Sequence, residues 1–116
     1  MAQSKNMARL SEDMRRELIA IIGAMKDPRV QGLVTVLRVE LAPDLSSAKV
    51  FVSKLGDGGA ASAASALNRA AGHVRSEIAK RMHIRKAPEF RFVADDGAKY
   101  AAHINELIAG LEREER

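Results

Sequence analysis

The sequence predicts an α+β fold in the order α-β-β-α-β-α, with a small mixed three-stranded sheet covered by helices on one face. Three observations carry this. Two runs rich in β-branched residues, "LVTVLRVEL" (33–41) and "AKVFVSKL" (48–55), flank the turn-forming "APDLSS" (42–47). A long helical stretch from about Ala60 to Met82 separates them from a third short strand, "EFRFVA" (89–94). The connection from the second strand through that helix to the third is a crossover, which is right-handed as a rule and sets those two strands parallel.

Each element has its own signal. Residues 1–5 read as a frayed start. Met7, Leu10, Met14, Leu18, Ile21 and Met25 then recur at steps of three and four, one apolar stripe of a first helix that stops before Asp27-Pro28. The strands at 33–41 and 48–55 pair as an antiparallel hairpin. In the second, Ala48, Val50 and Val52 share one face, and Lys49, Phe51 and Ser53 share the other. In "APDLSS" proline fixes φ, while Asp44 and the serines can bond the local backbone. "GDGGAAS" (56–62) is a flexible connector and "HIRKAP" (83–88) ends the long helix. After the "DDG" turn, Tyr100, Ile104, Leu107, Ile108 and Leu111 predict a last amphipathic helix, followed by a charged, frayed tail at about 112–116. A chain of 116 residues without internal repeats suggests a single domain spanning 1–116.

Composition narrows the function classes. Aromatic residues are only 3%, so Val, Ile, Leu, Met and Ala must fill the core. With no cysteine, disulfide scaffolds, thiolate metal sites and a cysteine nucleophile are excluded. No secretory signal and no run of about 20 apolar residues occurs, so no membrane association is expected and the expected setting is the cytoplasm. The net charge of +4 is unevenly spread. Between residues 69 and 91, Arg69, Arg75, Lys80, Arg81, Arg85, Lys86 and Arg91 stand against Glu77 and Glu89, a net of +5. The rest has twelve basic and thirteen acidic residues. Positive charge gathered in one segment is the pattern of a protein that meets a polyanion; the plainer alternative is a solvated face that aids solubility.

That segment reads as a helix with a fault. At 100° per residue, Leu67, Ala71, Val74, Ile78 and Met82 fall within about 80° of arc and face the sheet. On the opposite side lie Arg69, His73, Ser76, Lys80 and His83, with Arg75 and Arg81 on the flanks of the apolar stripe. Gly72 sits at the edge of the polar face, where glycine costs about 1 kcal/mol relative to alanine. It permits a bend and a close approach by another backbone, here a phosphodiester; the alternative is a kink that merely relieves crowding.

Ala70-Ala71-Gly72 resembles the Ala-x-Gly kink that stands in the ribosome-binding factor A family where other KH domains carry a GXXG loop. Further matches are "DPR" (27–29), "VELAPDLSSAKVFVS" (39–53) and "ALNRAAGHVRSEIAKRMHIRKAPEFRF" (66–92), so the resemblance runs over roughly residues 7–108. Departures occur too. Only Arg9, with Asn6 three residues earlier, answers the basic pair before the first helix. The family's Asp-Asp-Ser and Glu-Tyr-Gly-x-Arg-Ile appear as "DDGAKYAAHI", with Gly97, Lys99, Ala101 and His103 at the changed positions.

The resemblance implies a type II KH-like domain with a kinked central helix. It implies a bacterial assembly factor that binds the free 30S subunit and 16S rRNA late in maturation, favours 5′-end processing and leaves before translation. It is expected to act as a monomer, with assembly GTPases among its conceivable partners. Arg69, Gly72, His73, Arg75, Ser76, Lys80, Arg81, Arg85 and Lys86 are the candidate RNA-binding residues, and Ala70, Ala71 and Gly72 the candidate kink. No cofactor, metal or catalytic residue is expected. His73 and His83 are about three helical turns apart, too far to share a metal, and Asp44, Asp95 and Asp96 suit turns and helix starts. No Gly-rich phosphate loop, nucleophile elbow or HExxH helix occurs. The alternatives are a general RNA-binding module or a protein-interaction module using Met7, Met14 and Met25 and, weaker than these, an RNA-processing hydrolase.

Overall fold

The computed structural model describes residues 5–31, 33–56 and 58–95. The elements are α1 (Lys5–Ala24), β1 (Leu33–Leu41), β2 (Ser47–Leu55), α2 (Gly59–Arg69), α3 (Ala71–Met82) and β3 (Glu89–Ala94). The expected last helix, with Tyr100, Ile104, Leu107, Ile108 and Leu111, lies outside the described residues, as does Asp96.

The sheet has the order β1-β2-β3, with β1 antiparallel and β3 parallel to β2, as the crossover argument requires. Ala48, Val50 and Val52 of the central strand turn inward with Phe90 and Phe92 of β3. The inner stripe of α1, Met14, Leu18 and Ile21, closes on them together with Ile22, while Met7, Leu10 and Met25 sit half-buried at the margin. From α2 and α3 come Ala63, Leu67, Val74 and Ile78, each with no exposed surface.

β1 departs from strict alternation. Val36 pairs with Val52 and Arg38 with Phe51, so Leu37 is an extra residue bulged out of the ladder. The bulge changes the phase of the strand: Val36 points inward, and so do Val39 and Leu41. Were Leu37 paired within the ladder, Arg38 and Glu40 would enter the core.

The edge strands are tied to helices by side chains. Ser11 Oγ of α1 donates to Val39 O at 2.8 Å, and Arg15 Nε donates to Val36 O at 3.0 Å. The hairpin between β1 and β2 turns at Ala42–Leu45, where Leu45 N donates to Ala42 O and Leu45 takes a left-handed φ of 61°. Ser46 O at its tip accepts from Glu89 N, which fixes the start of β3.

Candidate nucleic-acid interface

The helical stretch predicted as one bent helix is two helices, and the bend is not at Gly72. It falls at Ala70, the first of the three candidate kink residues, whose φ of −94° and ψ of 9° leave the helical region for one residue. Ala70 N donates to both Ala66 O and Leu67 O, and Ala70 O accepts from Val74 N, so the chain is redirected with little loss of hydrogen bonding. The break lets α2 pack against β2 and β3, while α3 turns toward α1 and β3. One straight helix would not serve both contacts. Gly72 is the second residue of α3. It is exposed, its φ is not positive, and a Cβ built on it would meet nothing within 4 Å. Crowding within the described chain therefore does not account for this glycine.

The break also makes a helix start in the middle of the basic segment. The positive end of the α3 dipole lies at Ala71–His73, which favours an anion there. At the other end His83 takes the left-handed cap position with φ 53°, and Ile84 N donates to Ala79 O. This is a Schellman closure, and it turns the chain so that Arg85 and Lys86 follow directly on the end of α3.

Arg69, Gly72, His73, Ser76, Lys80, Arg81, Arg85 and Lys86 are all exposed. The cations are not equivalent. Lys80, whose side chain is 76% exposed, stands 3.8 Å from Glu77. Arg81 reaches across to Glu17 of α1 at 3.4 Å and holds the two helices together. Arg75 is tied to the main chain: its Nε donates to Ala87 O at 2.9 Å, and its guanidinium lies 3.9 Å from Glu89. Among the described residues Arg85 and Lys86 make no ion pair. Lys86 and Arg75 share with Asp44, Leu45, Ser46 and Ser47 the lining of a cleft between the hairpin tip and the helix exit. Met82, expected to be buried with Leu67, Val74 and Ile78, is half-buried, because it is the last residue of α3 before the chain turns away.

Sequence reasoning did not assign Arg29. Its guanidinium grips Asp27 with two bonds, Nε to Oδ1 at 3.2 Å and Nη2 to Oδ2 at 3.0 Å, and its N–H also donates to Oδ1 at 2.9 Å. These contacts hold the Asp27 carboxyl below the usual carboxylate range, with a small contribution from Arg69. Lys54 Nζ donates to Arg29 O at 2.9 Å. The signal was the "DPR" motif itself: an aspartate two residues before an arginine, across a proline, closes a local ring that presents the arginine. Among the described residues no group of three or more histidines, aspartates and glutamates is placed to hold a metal ion. No described helix is long and apolar enough to cross a membrane.

Known proteins share this fold. A family model described as ribosome-binding factor A matches residues 6–108. The ribosome-binding factor A of Desulfitobacterium hafniense is 49% identical over 109 residues, covering 92% of this chain and 86% of that protein. The crystal structure of ribosome-binding factor A from Thermus thermophilus superposes with a TM-score of 0.69 at 32% identity, covering 75% of this chain and 92% of that one. A homology model of the Thermus thermophilus protein, fitted into a cryo-EM map of a 30S complex of that factor, superposes with a TM-score of 0.61 at 30% identity over the same shares. The match to the family spans nearly the whole described fold, with the broken central helix inside it, and the chain belongs to the ribosome-binding factor A family.

Proposed function

We propose that this protein is a ribosome assembly factor of the cytoplasm that binds the free 30S subunit and promotes its late maturation, including processing of the 16S rRNA 5′ end. The observation that carries the reading is the 30S complex of the related Thermus thermophilus protein, whose fold this chain shares. The exposed basic surface supplies a physical means. Arg69, Lys80, Arg85 and Lys86 are placed to neutralise phosphates, with the α3 start and the bare backbone at Gly72 between the first two. No Phe, Tyr or Trp lies between residues 69 and 86 to stack a base beside these cations, so the rRNA site is chosen by its shape and charge supplies affinity. The role requires no catalytic residue. The factor positions rRNA and leaves cleavage to others.

Two measurements test this. In a sucrose gradient at low salt, the tagged protein should migrate with free small subunits and little with 70S ribosomes or polysomes; migration wholly at the top of the gradient counts against the proposal. The paired change Lys80→Glu with Arg85→Glu should leave folding nearly intact, because exposed substitutions usually stay within about 0.5 kcal/mol. It should weaken subunit binding strongly and reduce the slope of log affinity against log salt by about one per lost contact. Metal-dependent cleavage of precursor 16S rRNA by the purified protein would favour the hydrolase reading instead.

A further inference from the structure

The helices cover one face of the sheet. On the other face the alternate residues of all three strands reach the surface, and among the described residues no element covers them. At its centre is Phe51, on the central strand. The chain has three phenylalanines; Phe90 and Phe92 are buried in the core, and the third is spent here, half-exposed. The guanidinium of Arg38 lies over its ring, 3.9 Å from the centroid. The bulge at Leu37 is what brings Arg38 opposite Phe51, since a regular ladder would place Leu37 there. Glu40 steadies the arginine from the side, with 3.4 Å between Arg38 Nε and Glu40 Oε2.

Beside this pair is a row that the fold alone does not favour. Lys49 of β2 and Arg91 of β3 are register partners on the same face, both exposed, and neither makes an ion pair among the described residues. Like charges set directly opposite each other on neighbouring strands, about 5 Å apart, repel. Glu40, the partner of Lys49 on the other side, is engaged by Arg38. A preformed arginine–aromatic stack next to two exposed cations that make no ion pair among the described residues matches the chemistry of single-stranded nucleic acid, in which a π-face alternates with a phosphate.

We propose that the uncovered sheet face is a second RNA-contacting surface, which takes an unpaired nucleotide by stacking its base on the Arg38–Phe51 pair and placing its phosphates on Lys49 and Arg91. It lies on the side of the sheet away from α3. The two surfaces address different RNA segments: the basic helix takes backbone by shape, and the sheet takes an unstacked base. The proposal is independent of the role of α3, because each surface is altered by its own substitutions.

The test is fluorescence anisotropy with a labelled oligouridine RNA decamer, using the Lys80→Glu, Arg85→Glu protein so that the helix surface is silenced. Saturable binding should remain. Phe51→Leu, which keeps an apolar side chain but removes the stacking surface, should weaken it about tenfold. Lys49→Gln with Arg91→Gln should reduce the salt slope by about 1.4, the single-strand value for two phosphates. A ten-base-pair RNA duplex should bind worse than the single strand. Amide chemical shifts of the wild-type protein provide a readout that does not depend on variant folding, and residues 38, 49, 51 and 91 should move when the decamer is added. No saturable binding overturns the proposal and leaves the face to a protein partner. Equal affinity in Phe51→Leu, or shifts confined to residues 69–86, also overturns it.

Discussion

The side chain of Asn68 and the main chain of Phe92 form a closed ring of two hydrogen bonds: Nδ2 donates to Phe92 O at 2.9 Å, and Phe92 N donates to Oδ1 at 2.8 Å. β3 is an edge strand. The carboxamide presents a donor and an acceptor side by side, as a residue of a neighbouring strand would, so it ends the ladder on that side at the last turn of α2. Asn68→Ala is expected to cost about 1 kcal/mol in urea denaturation, the low end for this loss because the site borders solvent. Asn68→Asp keeps the acceptor but sets a second oxygen against Phe92 O, so it should cost at least as much as alanine. If alanine is neutral, water replaces both bonds without penalty.

Ile78 has no exposed surface and fills the space between α3 and the rest of the core. Ile78→Ala should destabilise the domain by about 2–5 kcal/mol. A thermal melt that scarcely moves would show that the core collapses around the deletion.

Gly72 separates stability from function. Its backbone is helical and a methyl group would meet only open space, so Gly72→Ala should stabilise the protein by about 0.5–1 kcal/mol. With the RNA backbone approaching at Gly72 as proposed, subunit binding should nevertheless weaken, and weaken further in Gly72→Val, because the added side chain would stand in its way. A gain in melting temperature with unchanged binding would place the RNA backbone elsewhere on the helix.

Asp44 gives the hairpin a sensitivity to acid. Bonds from Ser46 Oγ at 2.7 Å and Ser46 N at 3.0 Å hold its carboxyl below the usual carboxylate range. A depressed folded pKa means that the stabilisation is complete above the unfolded value of about 3.9 and is lost as pH falls through the lower folded value. The difference in melting temperature between wild type and Asp44→Asn should therefore be largest above about pH 5 and shrink toward zero in stronger acid. A difference that stays constant with pH would assign the effect to the turn geometry rather than to the charge.

Most of the fold could be read from the chain. The stripe Met14, Leu18, Ile21, the alternation Ala48, Val50, Val52 and the run Leu67, Val74, Ile78 are periodic, and periodicity transmits directly into burial. The parallel pairing of β2 with β3 followed from the crossover. A break within Ala70-Ala71-Gly72 was legible, but its position at Ala70 rather than Gly72 was not, because glycine draws attention as a local weakness while the bend is set by what the two half-helices must each pack against. The β1 bulge was present in the spacing of Val34, Val36, Val39 and Leu41, a skipped step of three within a step of two, but a β-branched run masks it. At the candidate interface the exposure of the cations followed from the polar arc. The anchoring of Arg75 on Ala87 did not, because it joins residues across a loop whose course only the Schellman closure fixes.

The extra residue in β1 also determines how this gene can be edited. Residues 33–36 keep step with 55–52, and residues 38–41 keep step with 51–48; Leu37 is a spacer between two matched frames. Its deletion would join them into an unbroken ladder, with Arg38 still against Phe51 and Val39 and Leu41 still inward. Deleting a neighbour such as Thr35 would instead leave the spacer in place and throw the start of the strand out of phase with its partner. The hairpin thus carries one position at which a codon can be lost without changing which side chains face inward.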